Sequence, residues 1–154
     1  MQTSRLFDAA KHKDIEAYNC LVSEHQDLVY NIAYYVLCDE ASAEKATQQA
    51  FLQAFHKLDK YRGGSIRFWF LKNLVDICQK ISKRDHKPYK LRKQPGKTEF
   101  PFGFLPTDLR LALVLVELEG MNYELAAGLI GASPGKVAQL LTIARHQLTL
   151  NYPV

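Results

Sequence analysis

The sequence predicts an all-α protein: two small helical domains joined by a flexible basic linker. Three observations predict this. Apolar residues recur at spacings of three and four through several long segments, and no segment alternates with period two. Prolines, glycines and lysines interrupt that periodicity over residues 85–104. Beyond them, a short helical segment, a glycine turn and a longer helical segment form a helix-turn-helix pattern. The domains are therefore placed at residues 1–84 and 105–150.

In chain order, Tyr18, Leu21, Val22, Leu28, Val29, Ile32, Ala33, Val36 and Leu37 predict a helix over residues 15–37, ended by Asp39-Glu40. Ala43, Ala46, Ala50, Phe51, Ala54, Phe55 and Leu58 predict a second over 43–58. Ser42 is its expected N-cap, and Glu44 favours its positive end. Gly63-Gly64 breaks the chain before a third helix over 66–81. In the linker, Pro88, Pro95, Gly96, Pro101 and Gly103 stand among Lys87, Lys90, Arg92, Lys93 and Lys97. Pro106 sits at the first turn of a helix over 107–119, which Gly120 ends. A short helix follows over 123–130, closed by Gly131. Ser133 caps a last one to about Leu148, with Pro134 at its first position.

The composition is that of a globular protein, at 47% hydrophobic and 23% charged residues in a chain of 154. No run of about 18 uncharged apolar residues occurs, and the N-terminal stretch lacks an apolar signal core, so a cytoplasmic location with no membrane insertion is expected. Cys20, Cys38 and Cys78 are too scattered for a disulfide framework or a zinc site. Phosphate-loop, H-E-x-x-H, G-x-S-x-G and C-x-x-C motifs are absent. Five scattered histidines lack ligand spacing. No enzyme, metal site or cofactor is expected.

Charge is unevenly spread. Residues 1–54 hold 4 basic and 8 acidic side chains, residues 55–98 hold 13 and 3, and residues 99–154 hold 3 and 5. The net +4 thus hides a central block of +10 between ends of −4 and −2. Such a block suits a polyanion, nucleic acid above all. Within it, Lys57, Lys60, Arg62, Arg67, Lys72, Lys80, Lys83 and Arg84 interleave with Tyr61, Phe68, Trp69 and Phe70. Cations of this kind hold phosphates while rings stack on unpaired bases. The spacing assigns Trp69 to the core and leaves Phe68 exposed. On the last helix the polar groups able to read a duplex are Lys136, Gln139, Thr142, Arg145, His146 and Gln147.

Two blocks carry a resemblance to a known family. The run A-E-K-A-T-Q-Q-A-F-L-Q-A-F-H-K-L-D-K-Y-R-G-G-S-I-R-F-W-F resembles sigma region two, and L-P-T-D-L-R through S-P-G-K-V-A-Q-L-L-T-I-A-R-H-Q-L is similar to region four. Together they resemble an extracytoplasmic-function, or group IV, sigma factor of bacterial RNA polymerase, over about Tyr18 to Leu148. The resemblance implies a region 2-like domain, a region 4-like helix-turn-helix domain, and a role in directing core polymerase to promoters. It places Glu44, Gln48, Gln49, Gln53 and His56 on the polymerase. Tyr61, Arg62, Ser65, Arg67, Phe68, Trp69, Lys72, Lys80 and Arg84 would hold the melted promoter strand or the adjoining duplex. Lys136, Gln139, Thr142 and Arg145 would meet the upstream duplex.

The chain departs from the family pattern at several positions. Lys45 and Gln49 stand where acids are usual; Ala138, Leu140 and Ile143 stand where basic residues are usual; Leu125 and Gly128 replace common glutamates. Leu140 and Ile143 are read as a surplus apolar face of region four, covered by an anti-sigma factor or another protein partner. The alternative function is a sigma-like interaction module with little DNA binding.

Overall fold

A computed structural model describes residues 8, 10, 12, 14–61, 64–84 and 101–152, with backbone alone for 82–84. Six α-helices and no strand occur among the described residues. They are α1 Ile15–Leu37, α2 Glu40–His56, α3 Ile66–Arg84, α4 Thr107–Ala112, α5 Tyr123–Ile130 and α6 Pro134–Asn151. A 3₁₀ turn at Leu58–Lys60 follows α2, and a π-helical segment, Leu113–Leu118, continues α4.

Local chemistry sets most boundaries. Asp14 caps α1 by accepting from the Ala17 amide at 3.2 Å. At its other end Cys38 turns left-handed, with φ of 58°, and its amide returns to the Tyr34 carbonyl. That turn delivers Asp39 directly into N-cap geometry, where its carboxylate accepts from the Ser42 amide at 2.8 Å. The second helix therefore starts at Glu40. Asp39, expected to end the first helix, caps the second in place of Ser42. Asn122 and Ser133 cap α5 and α6 in the same way, at 2.8 and 3.1 Å. Gly131 closes α5 with φ of 82°, a conformation costly for any residue with a side-chain β-carbon.

The first three helices pack around Phe70, which is fully buried. Phe51 and His25 meet its ring edge-on at centroid distances of 4.9 and 5.2 Å. Tyr18 adds its ring at 6.0 Å and donates its hydroxyl to the Phe51 carbonyl. The last three helices enclose Leu111, Leu115, Leu129 and Leu141. These two sets form one continuous core, because α3 packs against α5 and α1 against α4.

Arg110 sits in that junction, 6% exposed. Its guanidinium donates to the Gly103 carbonyl at 3.2 Å and to the Thr107 hydroxyl at 3.0 Å, and it approaches the Cys38 sulfur at 3.6 Å. A buried guanidinium must be hydrogen-bonded to be tolerated, and here it ties the end of α1 to the start of α4. Most of the expected linker lies outside the described residues. Its final four, 101–104, form a turn in which Phe104 is buried.

Candidate nucleic-acid and polymerase interfaces

The basic, aromatic face is built on the start of α3. Ser65 is exposed, and its hydroxyl accepts from the Phe68 amide at 3.2 Å, so it also caps the first turn. Arg67 and Lys80 are exposed. Tyr61 is buried, and its ring leans on Trp69 at 5.3 Å. Trp69 is half-buried and donates its indole N–H to the Ala54 carbonyl at 3.2 Å. The expectation that Phe68 is exposed is corrected: α5 lies over it, and a β-carbon built on Gly128 would stand 3.4 Å from its ring. Lys72 reaches the same helix. Its ammonium donates to the Leu129 carbonyl at 3.2 Å and lies 3.9 Å from Asp76. Arg62 lies outside the described residues, as does the side chain of Arg84.

A cleft of about 440 Å³ runs beside this junction, between Ser65, Arg67 and Phe68 on one side and Glu119, Met121 and Leu125 on the other. It is lined from both halves of the molecule, so its shape depends on how they dock.

The outer face of α2 presents Glu44, Gln48, Gln49 and His56 to solvent. Gln53 is half-buried and donates to the Asn73 side chain at 2.9 Å, which ties this face to α3. Leu52, absent from the sequence-based site, is 59% exposed in the midst of these polar groups. It borders a groove of about 420 Å³ with Ile15, Tyr18, Val22, Gln48 and Phe55. Its signal in the sequence is an apolar residue outside the buried stripe of its own helix.

On α6, Lys136, Gln139 and Thr142 are exposed, and Thr142 bonds back to the Ala138 carbonyl at 3.0 Å. Arg145 is exposed too, but both its Nε, at 3.0 Å, and its Nη2 donate to one carboxylate oxygen of Glu117. Hydrogen bonding and charge from Glu117, with a smaller contribution from Tyr123, raise the Arg145 pKa above its ordinary value. Leu140 corrects the reading of a surplus apolar face. It is 4% exposed, in one buried stripe with Val137, Leu141 and Ala144, and only Ile143 of the pair faces water, at 46%. Among the described residues, no helix is long and apolar enough to cross a membrane.

The fold and these faces define an all-helical protein, among the described residues, with a helix-turn-helix over α5 and α6. The sigma-70 region 2 family model matches residues 21–74. The ECF RNA polymerase sigma factor EcfG of Rhodopseudomonas palustris is 30% identical over 125 residues, covering 70% of this chain and 69% of that protein. The ECF RNA polymerase sigma factor SigE of Mycolicibacterium smegmatis is 25% identical over 150 residues; the match covers 83% of this chain and spans 58% of that protein's length. The fold is similar to that of the sigma factor RpoE from Bartonella quintana, solved with the anti-sigma factor NepR, at a TM-score of 0.68 and 19% identity over 89% of this chain and 97% of that one. The chain belongs to the ECF RNA polymerase sigma factors.

Proposed function

We propose that this chain directs core RNA polymerase to promoters and starts transcription there. The observation that carries the reading is the match to sigma region 2 over residues 21–74, in a chain that continues into a capped helix-turn-helix. The outer face of α2, with Glu44, Gln48, Gln49, Leu52 and His56, docks on the polymerase. Gln53 holds this face against α3. Arg67 and Lys80, together with Arg62 and Arg84, hold the melted strand or the duplex backbone beside it. Ser65, Tyr61 and Trp69 keep the start of α3 in shape for that contact. Phe68 and Lys72 join it once α5 moves away from them, since both are covered or bonded by α5 in this arrangement. Lys136, Gln139, Thr142 and Arg145 meet the upstream duplex from α6. The part of the expected linker outside the described residues, 85–100, serves as the tether that lets the two units separate. The exposed apolar positions of the second unit, Leu118, Leu125 and Ile143, suit an anti-sigma factor or a similar protein partner.

The alternative, an interaction module with little DNA binding, is favoured by the net −2 of residues 99–154. Transcription in vitro with core polymerase and a promoter library separates the two. The sigma reading expects specific start sites that depend on this chain. Polymerase binding without any start site supports the module.

A further inference from the structure

We infer that Glu117 competes with the DNA backbone for Arg145 and thereby sets how tightly α6 holds duplex DNA. The inference rests on the reading that α6 meets the upstream duplex. Its basis is the distribution of charge in the helix-turn-helix unit. Residues 101–152 contain the cations Arg110, Lys136 and Arg145 and the acids Asp108, Glu117, Glu119 and Glu124, a balance of −1. Arg110 is buried and spends its donors on Gly103 and Thr107. Only Lys136 and Arg145 are Lys or Arg residues on α6. Two donor groups of Arg145 close on one oxygen of Glu117, which stands on the π-helical segment before α5.

Arg145 is the group on this helix best able to grip a phosphate with two parallel bonds. Glu117 occupies those donors with an oxygen of the same charge and similar geometry. The pair is exposed, at 54% and 44% for the two side chains, and exposed ion pairs are weak. A phosphate can therefore displace the carboxylate. The exchange swaps one anion for another and leaves Glu117 facing the phosphates within a Debye length of about 8–10 Å. Glu117 lowers the affinity of α6 without lying in its reading face. High local phosphate density, as when polymerase holds the chain on a promoter, favours the exchange, whereas stray duplex does not.

The test uses the full chain and a random-sequence duplex of about 30 base pairs, since phosphate contacts are independent of sequence. Binding is titrated across about 50–200 mM salt for wild type, Glu117→Gln, Arg145→Ala, the double variant and Lys136→Ala, with helicity checked by circular dichroism. Glu117→Gln is expected to bind roughly threefold to tenfold tighter, with a salt slope steeper by about 0.9, one added phosphate contact. Arg145→Ala is expected to weaken wild type less than it weakens Glu117→Gln, and to abolish the gain in the Glu117→Gln background. Three outcomes overturn the inference. If Lys136→Ala weakens binding but Glu117→Gln does not tighten it, α6 is on DNA and Glu117 does not compete. If the gain survives Arg145→Ala, it is a general charge effect. If neither Lys136→Ala nor Glu117→Gln alters binding, α6 does not meet the duplex, and the underlying reading falls with the inference.

Discussion

Lys72 and Leu129 join the two halves of the molecule: the ammonium of Lys72 on α3 donates to the Leu129 carbonyl of α5 at 3.2 Å. Gln79 repeats the contact two helical turns along α3, donating to the Ile130 carbonyl at 3.0 Å. The last carbonyls of a helix lack partners within it and carry its partial negative charge. A lysine from a neighbouring helix satisfies both needs. In this arrangement the cation serves the junction between the two units.

The junction is open to a steric test at Gly128. A β-carbon there would already stand 3.4 Å from the Phe68 ring, at the near limit of ordinary contact, which leaves no room for a longer side chain. Gly128→Leu is expected to force α5 off α3 while each half keeps its helices. Small-angle scattering is expected to show a larger radius of gyration with unchanged helicity. The emission of Trp69, the single tryptophan, is expected to shift because it adjoins Phe68. An unchanged radius would mean that the ring simply swings aside.

Leu140 and Ile143 are three residues apart on α6 and are expected to respond in opposite ways. Leu140 is buried, so truncation to alanine is expected to cost about 2–5 kcal/mol, and Leu140→Arg more, through an unpaired buried charge. Ile143→Arg is expected to stay within about 0.5 kcal/mol of wild type. Thermal melts of the two arginine variants decide this. Equal destabilisation would contradict the burial difference.

On α2, Leu52→Arg places a charge amid the proposed polymerase face without touching the core. The variant is expected to fold normally and to lose tenfold or more in affinity for core polymerase, the scale of a central interface residue. Native-gel competition against wild type measures it. Full retention of affinity would move the polymerase contact off this face.

Alkaline pH is expected to destabilise the fold through Cys78. Burial pushes its thiol from 9.0 up to about 12, and the nearby Arg110 charge offsets part of that rise. The fold favours the protonated thiol, while the unfolded chain ionises above about pH 9. Its contribution is therefore intact below pH 9 and falls between 9 and 12, at up to about 1.4 kcal/mol per pH unit. Tyr18, raised by burial as well, adds to the loss above its ordinary value of 10.0. Urea midpoints at pH 8, 9.5 and 10.5 test the slope. Cys78→Ala is expected to flatten the part below pH 10.

Much of the helical layout is legible in the amino-acid sequence. The helix over 15–37 follows from apolar spacing, that over 123–130 from spacing and the Gly131 stop, and the start of α6 from Ser133-Pro134. The start of α2 is ambiguous in the sequence because Asp39 and Ser42 are both good caps. The choice between them falls to the left-handed turn at Cys38, a conformation that cysteine does not advertise. The π-helical segment leaves no mark in the pattern, since three successive buried residues, Leu113 to Leu115, fit an ordinary buried helix equally well. Leu140 escapes a reading that draws two apolar stripes on α6 where there is one. It lies three residues after Val137 and four before Ala144, the spacing of a single buried face.

The sequence by itself determined most of the helices, the Ser133 cap, the basic block and the family, because these depend on neighbours a few residues apart or on the order of whole segments. The tertiary structure alone decided which charges remain available to a partner. Lys72 and Leu129 are 57 residues apart, and Arg145 and Glu117 are 28 apart. No local rule connects such positions. Whether a cation meets a phosphate, a helix end or a carboxylate depends on how the helices dock, and docking is set by the shape of the shared core.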